Sequence, residues 1–448
     1  MPRTRELRRQ LDREILRLAV PAFLALVAEP LYLLADSAIV GHLGTTPLAG
    51  LGIASAVLST AISLCIFLAY GTTASVARRI GAGDLRGALA QGVDGIWLAV
   101  LIGVAATATG IPLTRWLVSL FGPGSDVADQ AAAYLRVGFL GAVPLLVVLA
   151  ATGVLRGLQD TRTPMVVAIA GNGVNFVLNL LLVYGFAGLP ALGISGSALG
   201  TVLAQAGTAV ALLVVVVRAA RRHDVPLLPD LSGIRSAGGA GVPLLLRTAT
   251  LRASLLVMTY GATTLGEHPL AAMQVAMTTW SFLAFTLDAI AIAAQAITGR
   301  YLGAGDVAGT RSVTRRMLRW GLLSGVVTGA ALAVVSPFLG PLFTGDERVQ
   351  RLLVPALLVA AAFQPVAGVV FVLDGVLIGA GDGRYLAWAG LWVLVAFAPA
   401  AWAAVVSPGS TAGSLTALWL AFGVAFMGGR AVVLLLRERA DGWLRTGG

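Results

Sequence analysis

The sequence predicts an all-α integral membrane protein of about twelve transmembrane helices, arranged as two six-helix lobes. Three observations predict this fold. Hydrophobic residues make up 58% of the 448-residue chain and charged residues only 12%, whereas a soluble domain usually carries roughly 25% charged residues. Apolar stretches long enough to cross a bilayer recur along the chain, and the second half repeats the first. Lipid must therefore be the solvent for much of this protein.

A transmembrane helix needs about 20 mostly apolar residues, and twelve such stretches can be placed. The 55 glycines fit this interpretation, because small residues let helices pack closely in a membrane. The predicted spans lie near 15–40, 48–76, 92–113, 129–155, 163–185, 192–218, 238–262, 270–298, 317–340, 351–378, 386–405 and 410–436.

The arginines predict the orientation of the spans. All basic residues are arginine, and they concentrate in the N-terminal segment, in alternate loops and in the C-terminal tail. Basic residues favour cytoplasmic loops, so both termini are expected in the cytoplasm. The net charge of +10 is explained in this way without a nucleic-acid partner.

An internal repeat relates the two halves of the chain. Matching residues within 20–21, 43–49, 81–84, 120–121 and 153–160 recur 222 positions later, at one offset without a gap, and they include Gly, Pro and Asp. Because six helices return the chain to the same side of the membrane, the two copies must be parallel. We therefore expect an N-lobe over 1–218, a cytoplasmic linker over 219–237 and a C-lobe over 238–448. The repeated residues are typical of turns and helix caps.

Ionisable residues inside the membrane are costly and are functional candidates by default. Glu29 and Asp36 lie seven residues apart on the first span and therefore share a face. Polar stripes on the fifth and sixth spans fall at similar depth, and together they predict a site for a coupling ion. The alternative is a polar cluster that only holds these helices together. The stripe residues are Asn172, Asn175, Asn179, Thr201 and Gln205, of which Asn172 and Gln205 are candidates for substrate binding or gating.

The second half carries its own intramembrane charges. Arg247 and Arg252 lie on the seventh span and Asp288 on the eighth, where an Arg–Asp pair is expected; alternatively, one of these charges contacts or gates substrate. Asp374, near the end of the tenth span, either caps a helix or pairs with a loop arginine, or it is functional. The three histidines are scattered, so no metal site is expected.

Several motifs resemble the multidrug and toxic compound extrusion (MATE) family, in particular the branch of the DNA-damage-inducible protein F. They lie at Val20–Gly44, Leu155–Pro164 and Leu287–Asp306. The resemblance implies twelve helices around a V-shaped central cavity, located in the bacterial cytoplasmic (inner) membrane. It also implies export of cationic or amphiphilic small molecules in exchange for H+ or Na+ by alternating access, without a cofactor.

Residue by residue, Asp36 matches the key acid of that family, and Asn175 and Thr201 match its polar partners. Pro21 matches a helix 1 proline proposed to bend on protonation, although a fixed kink is the alternative for a proline in a helix. Where many relatives have Asp, this chain has Asn179, which favours H+ over Na+. Na+ at Asp36 and Asn175 is the alternative.

Other functions are weighed against transport. A lipid-linked oligosaccharide flippase of the same superfamily is the alternative, because Arg247 and Arg252 could contact a pyrophosphate. An enzyme is not expected, because no clustered catalytic set is present. We expect a monomer in membrane lipid.

Overall fold

Twelve helices of the structure are long and apolar enough to cross a membrane, which confirms the predicted fold class. The structure is a computed structural model that describes residues 2–185, 188, 190–406 and 410–447, without the side chains of residues 2–5, 7 and 8. The twelve-helix count refers to this described part. In lipid, every backbone polar group must be satisfied within the protein, so helices are the expected spanning elements.

Nine spans are single helices and three are interrupted. The second span combines α2 and α3, which meet at Ile66; the fourth combines α5 and α6 through a 3₁₀ turn at Phe139–Gly141; the twelfth combines α14 and α15 through a π-helical segment at Phe422–Gly428. None of these interruptions was predicted from the apolar pattern of the sequence. The helices are α1 Pro2–Gly41, α2 Thr45–Cys65, α3 Phe67–Gly81, α4 Leu85–Ser119, α5 Ser125–Gly138, α6 Ala142–Gly157, α7 Arg162–Tyr184, α8 Ile194–Arg222, α9 Leu231–Thr264, α10 Glu267–Gly303, α11 Val307–Phe343, α12 Glu347–Gly379, α13 Gly383–Val406, α14 Thr411–Ala421 and α15 Gly429–Arg439.

Several helices begin outside their apolar stretch, where a polar side chain caps them. The carboxylate of Asp84 caps α4 by accepting a hydrogen bond from the amide of Gly87 at 2.8 Å. The carboxylate of Asp306 caps α11 in the same way, through the amide of Gly309 at 2.7 Å. The Gly87 amide also holds the pKa of Asp84 below its usual value. Gly83 (φ 79°) and Gly305 (φ 74°) both adopt a left-handed conformation, so the repeated Gly-Asp motif is a repeated helix stop and cap.

The described helices pack into two compact units. Leu24–Val242 forms one unit, called the N unit below; the residues up to Phe23 together with Pro243–Gly447 form the other, called the C unit. The chain therefore passes from one unit to the other inside α1 and inside α9, close to the repeated prolines Pro21 and Pro243. This grouping concerns packing alone, and the lobes 1–218 and 238–448 stay a prediction.

The segment between α8 and α9 packs against the N unit. The indole of Trp97 donates to the carbonyl of Leu227 at 2.9 Å. The carboxylate of Asp94 accepts a hydrogen bond from the amide of Asp230 at 3.3 Å. A Cβ at Gly233 would lie 2.0 Å from Oδ2 of Asp94. The predicted linker is thus held by α4, and Asp230 caps α9 through the amide and hydroxyl of Ser232.

A glycine stripe brings α11 and α12 into close contact in the C unit. Cβ atoms built at Gly321, Gly325 and Gly329 would lie 2.4–2.5 Å from backbone oxygens of α12. Small residues at four-residue spacing allow this approach, and such packing drives helix association in membranes.

We predict that Gly325→Ala lowers the stability of the purified protein by about 1–3 kcal/mol, because the new methyl group overpacks a backbone contact. Gly207→Ala is the matched control, since no atom lies within 4 Å of a Cβ at that position, and it should be neutral or slightly stabilising. The thermal unfolding midpoint in detergent checks both variants. Equal midpoints for the two would contradict the packing role of the stripe.

Candidate functional site

The candidate ion site lies where α7 and α8 approach closely in the N unit. A Cβ at Gly196 would lie 2.5 Å from the carbonyl oxygen of Leu182, and one at Gly200 would lie 2.1 Å from Oδ1 of Asn179. The two glycines therefore let the helices meet and leave room for the Asn179 side chain. The small-residue pair on α8 is a packing feature that positions a polar residue of α7.

Asp36 on α1 is the centre of this site. Its side chain is buried, with 4% of the residue exposed. Its Oδ1 accepts a hydrogen bond from Nδ2 of Asn179 at 2.7 Å and another from Oγ of Ser197 at 2.5 Å. Both donors are neutral, and no ion pair to Asp36 occurs among the described residues. Asp36 thus combines burial with hydrogen bonds but has no fixed counter-charge.

The other predicted residues differ in what they contact. Tyr32, one turn before Asp36, shares a 2.8 Å hydrogen bond with the hydroxyl of Thr201, and Asn175 lies beside the same tyrosine hydroxyl. Asn172 donates to the backbone carbonyl of Ala28 at 3.1 Å. Glu29 is exposed and takes no part in the hydrogen bonds to Asp36.

Two amide oxygens of the site are buried without a hydrogen-bond partner. They belong to Asn175 and Asn179, which are 4% and 1% exposed. A buried polar atom without a partner is costly and calls for an explanation. Beside a carboxylate, such oxygens can accept a hydrogen bond from a protonated acid or can ligate a small cation.

A cavity of about 80 Å³ lies in the N unit, next to the Tyr32–Thr201 contact. Thr201 and Gln205 line one part of it, and the remaining lining is mainly apolar. The interruptions of the second and fourth spans, near Cys65 and at Phe139–Gly141, also line it. Gln205 therefore faces a cavity and takes no part in the hydrogen bonds to Asp36.

Asp374 of the C unit is also a buried carboxylate, in a different environment. Oδ2 of Asp374 accepts from Nη2 of Arg247 at 2.6 Å and also from Arg430 of α15. These three residues are 6%, 9% and 7% exposed. Arg430 also stacks on Phe426, and Asp288 lies within electrostatic range of it.

This cluster corrects part of the sequence analysis. Asp374 pairs with arginines inside the spans and not with a loop arginine, and Arg247 reaches Asp374 across the C unit. Arg252 is exposed and forms no ion pair with any described residue. Arg430 lies within the predicted twelfth span, just after the unpredicted π-helical segment, and it was overlooked among the intramembrane charges.

Ser197 is the other functional residue that sequence reasoning missed. It precedes Thr201 by four residues and Gln205 by eight, so it extends the same stripe on α8 by one turn. This spacing was the available signal. Ser197 and Asn179 are the side chains that donate to Asp36, whereas Thr201 acts through Tyr32.

Twelve apolar spans around buried ionisable groups define a multi-pass membrane transport protein. The MatE family model matches residues 21–181 and 243–402, which is more than half of the chain. The protein belongs to this family and is a transporter, not an enzyme.

Individual relatives agree with this assignment. Protein DETOXIFICATION 44, chloroplastic, of Arabidopsis thaliana is 31% identical over 93% of this chain and 81% of its own length. DNA damage-inducible protein F of Escherichia coli strain K12 is 29% identical over 82% of this chain and 81% of its own length. A crystal structure of a MATE protein in the bent conformation has the same fold, with a TM-score of 0.88 and 24% identity over 97% of this chain and 96% of that one.

The two buried carboxylates should respond differently to loss of their charge. We predict that Asp374→Asn destabilises the protein by about 3–5 kcal/mol, because it leaves two buried arginines without their shared counter-charge. Asp36→Asn should change stability by less than about 1 kcal/mol, because its partners are neutral and an amide oxygen can still accept from them. Thermal unfolding midpoints of the two variants test this, and a similar loss in both would refute the contrast.

Asn179→Asp should create dependence on Na+. The variant places a second carboxylate beside Asp36, and two adjacent carboxylates favour a bound cation. We expect Na+ to raise the unfolding midpoint of this variant relative to choline, with a stabilisation that reaches about 2.7 kcal/mol at 100 times the dissociation constant. Asn172→Asp is the matched control, because Asn172 contacts the carbonyl of Ala28 and not Asp36. A Na+ response of the same size in the control would exclude a site at Asp36.

Proposed function

We propose that this transporter is a secondary active antiporter that exports organic cations and amphiphilic drugs in exchange for H+ by alternating access. One observation carries the proposal: Asp36 is buried and has neutral hydrogen-bond donors but no cationic partner among the described residues. Burying a charge is expensive unless it is paired. A carboxylate without a fixed counter-charge needs a mobile one, and the coupling ion is that mobile charge.

The comparison with Asp374 supports this role for Asp36. Asp374 has two arginines in direct contact, so its negative charge is compensated by the protein itself. An internal ion pair of this kind can remain unchanged through a transport cycle. Asp36 and Asp374 thus suit different tasks, coupling for Asp36 and structure for Asp374.

The hydrogen bonds of Asp36 suggest how binding of a proton changes the site. An ionised carboxylate only accepts, which suits the donors Asn179 and Ser197. A protonated carboxyl group carries one O–H donor and needs an acceptor nearby. The free amide oxygens of Asn175 and Asn179 can supply it after a small rearrangement. Protonation would therefore replace one set of contacts between α1 and α7 with another.

Helix α1 can transmit this change, because Asp36 and Pro21 lie on one continuous helix. Proline removes a backbone hydrogen bond and weakens the helix locally. We propose that α1 bends near Pro21 when the protonation state of Asp36 changes. A ligand shifts such an equilibrium only through its different affinity for the two states, and the two contact sets of Asp36 provide that difference.

The substrate class rests on the relatives and on the cavity. The Arabidopsis relative carries the name DETOXIFICATION, which supports export of toxic small molecules. The mainly apolar cavity beside Thr201 and Gln205 suits the apolar part of an amphiphile with a polar group at one end. The similarity to a bacterial relative supports a location in the bacterial inner membrane, and the arginine distribution supports cytoplasmic positions for both termini.

Na+ is the alternative coupling ion. Na+ requires several oxygen ligands, and Asp36 with the amide oxygens of Asn175 and Asn179 could supply three. Proton coupling is favoured because Asn179 now donates to Asp36 through its nitrogen, and its oxygen would have to replace that nitrogen before it could ligate a cation.

The structure gives the flippase alternative little support. That hypothesis depended on Arg247 and Arg252 as contacts for a pyrophosphate. Arg247 is buried against Asp374, so its charge is already compensated inside the C unit. Arg252 alone is exposed, and a single arginine is a weak basis for pyrophosphate binding.

The decisive experiment is transport in proteoliposomes with H+ and Na+ gradients imposed separately. We predict that a fluorescent organic cation is transported under the H+ gradient, that its addition releases protons, and that Asp36→Asn abolishes both signals. The proton gradient alone should be sufficient, because the proposed counter-charge of Asp36 is a proton.

Asp129→Asn is the matched control, since Asp129 is exposed and its distance to Arg115 is 3.9 Å; it should transport like the wild type. Unchanged transport by Asp36→Asn would remove Asp36 from the mechanism. Transport under the Na+ gradient alone would replace H+ by Na+ as the coupling ion.

A further inference from the structure

The first turns of α1 carry a basic face that the transport mechanism does not use. Arg9, Arg13 and Arg17 are all exposed and follow one another at four-residue spacing. Residues four apart on a helix are displaced by about 40° around the axis and about 6 Å along it. The three arginines therefore form one stripe along the outside of the helix.

Packing on the opposite side of α1 fixes the direction of this stripe. Leu11, Ile15 and Leu18 are 6%, 1% and 1% exposed, and they form the apolar seam of the helix against the C unit. By helical geometry, this seam lies about 180–240° from Arg9. The arginines thus point away from the protein because the apolar side chains occupy the buried side.

Two acids beside the apolar seam lock the rotation of the helix. Asp12 accepts from Nε of Arg316 at 2.6 Å and from the indole of Trp320 at 2.8 Å. Glu14 pairs with Arg300. Asp12 and Glu14 therefore make contacts inside the C unit, and Arg9, Arg13 and Arg17 are exposed at the surface.

The exposed face changes from basic to apolar along the same helix. Leu16 and Val20 are 40% and 50% exposed and lie in the same sector as the arginines. Such a change within one turn is expected where a helix passes from the headgroup layer into the acyl chains. Among the described side chains, Glu6 is the only acid on this sector, so the face keeps a net positive charge.

We propose that Arg9, Arg13 and Arg17 form a binding site for the headgroups of anionic phospholipids in the leaflet where α1 begins. Charge complementarity and continuity with the lipid-facing residues Leu16 and Val20 identify the occupant. The guanidinium groups contact the phosphates, and the apolar residues contact the acyl chains. Asp36 lies on the same helix, so headgroup binding holds one end of the helix that carries the ion site.

Native mass spectrometry of the purified full chain tests this proposal with phosphatidylglycerol and phosphatidylcholine as probes. We expect the wild type to retain phosphatidylglycerol in preference to phosphatidylcholine. Arg9→Gln with Arg13→Gln should weaken phosphatidylglycerol binding about thirtyfold, because each basic residue contributes separately to the attraction. Arg9→Lys with Arg13→Lys should keep most of the binding, because it keeps the charge.

Arg348→Gln with Arg351→Gln is the matched control, since these arginines of α12 are also exposed but adjoin Asp346 and Glu347, which cancel their charge; it should lose little binding. Unfolding midpoints must match the wild type, to show that all variants are folded. Unchanged binding in the Arg9 and Arg13 glutamine variant, or an equal loss in the control pair, would overturn the proposal. Equal loss in the lysine variant would overturn its electrostatic basis, and equal competition by free glycerol phosphate would show a site for free anions. None of these readouts depends on transport.

Discussion

The hydrogen bonds of Asp36 are the interaction on which the candidate site, and the function proposed for it, depend. They require three helices of the N unit to meet at one point, with α1 supplying the acid, α7 the amide and α8 the hydroxyl. The meeting of α7 and α8 depends in turn on Gly196 and Gly200, whose missing side chains leave room for a backbone carbonyl and for Asn179. The close packing at these small residues therefore allows Asn179 to reach Asp36.

Asp36 and Asp374 are buried by opposite physical means. The N unit surrounds Asp36 with neutral polar groups, which leaves its charge without a fixed counter-charge among the described residues. The C unit surrounds Asp374 with arginine side chains from α9 and α15, which compensates the charge permanently. A duplicated chain has thus diverged at its buried charges while it kept its helix caps, as at Asp84 and Asp306.

Helix α1 combines features that are usually separate. Its first residues pack with the C unit and its later residues with the N unit. It carries the acid of the candidate ion site, two prolines, and a segment in which Asp12 and Glu14 contact the C unit while Arg9, Arg13 and Arg17 are exposed. One continuous helix therefore carries both the exposed arginines and Asp36 of the candidate ion site.

The sequence by itself singled out Asp36 and Asn179, whose role stays a prediction. It determined the membrane fold, the number of spans and the internal repeat. These follow from composition, apolar length and a constant offset, which are properties of the chain read in order. The family membership also followed from local motifs. Most predicted spans were shorter than the observed helices. Capping side chains such as Asp84 lie outside the apolar stretches on which the prediction relied.

Only the tertiary structure decided which polar residues meet. Ser197 and Arg430 came into contact with Asp36 and Asp374 from helices 161 and 56 residues away in the chain, and no local pattern encodes such partners. The interruptions at Ile66, Phe139–Gly141 and Phe422–Gly428 were likewise invisible, since they depend on how neighbouring helices pack. The physical reason is that apolar periodicity specifies that a segment is a helix in lipid, whereas its rotation and neighbours are set by contacts with other helices.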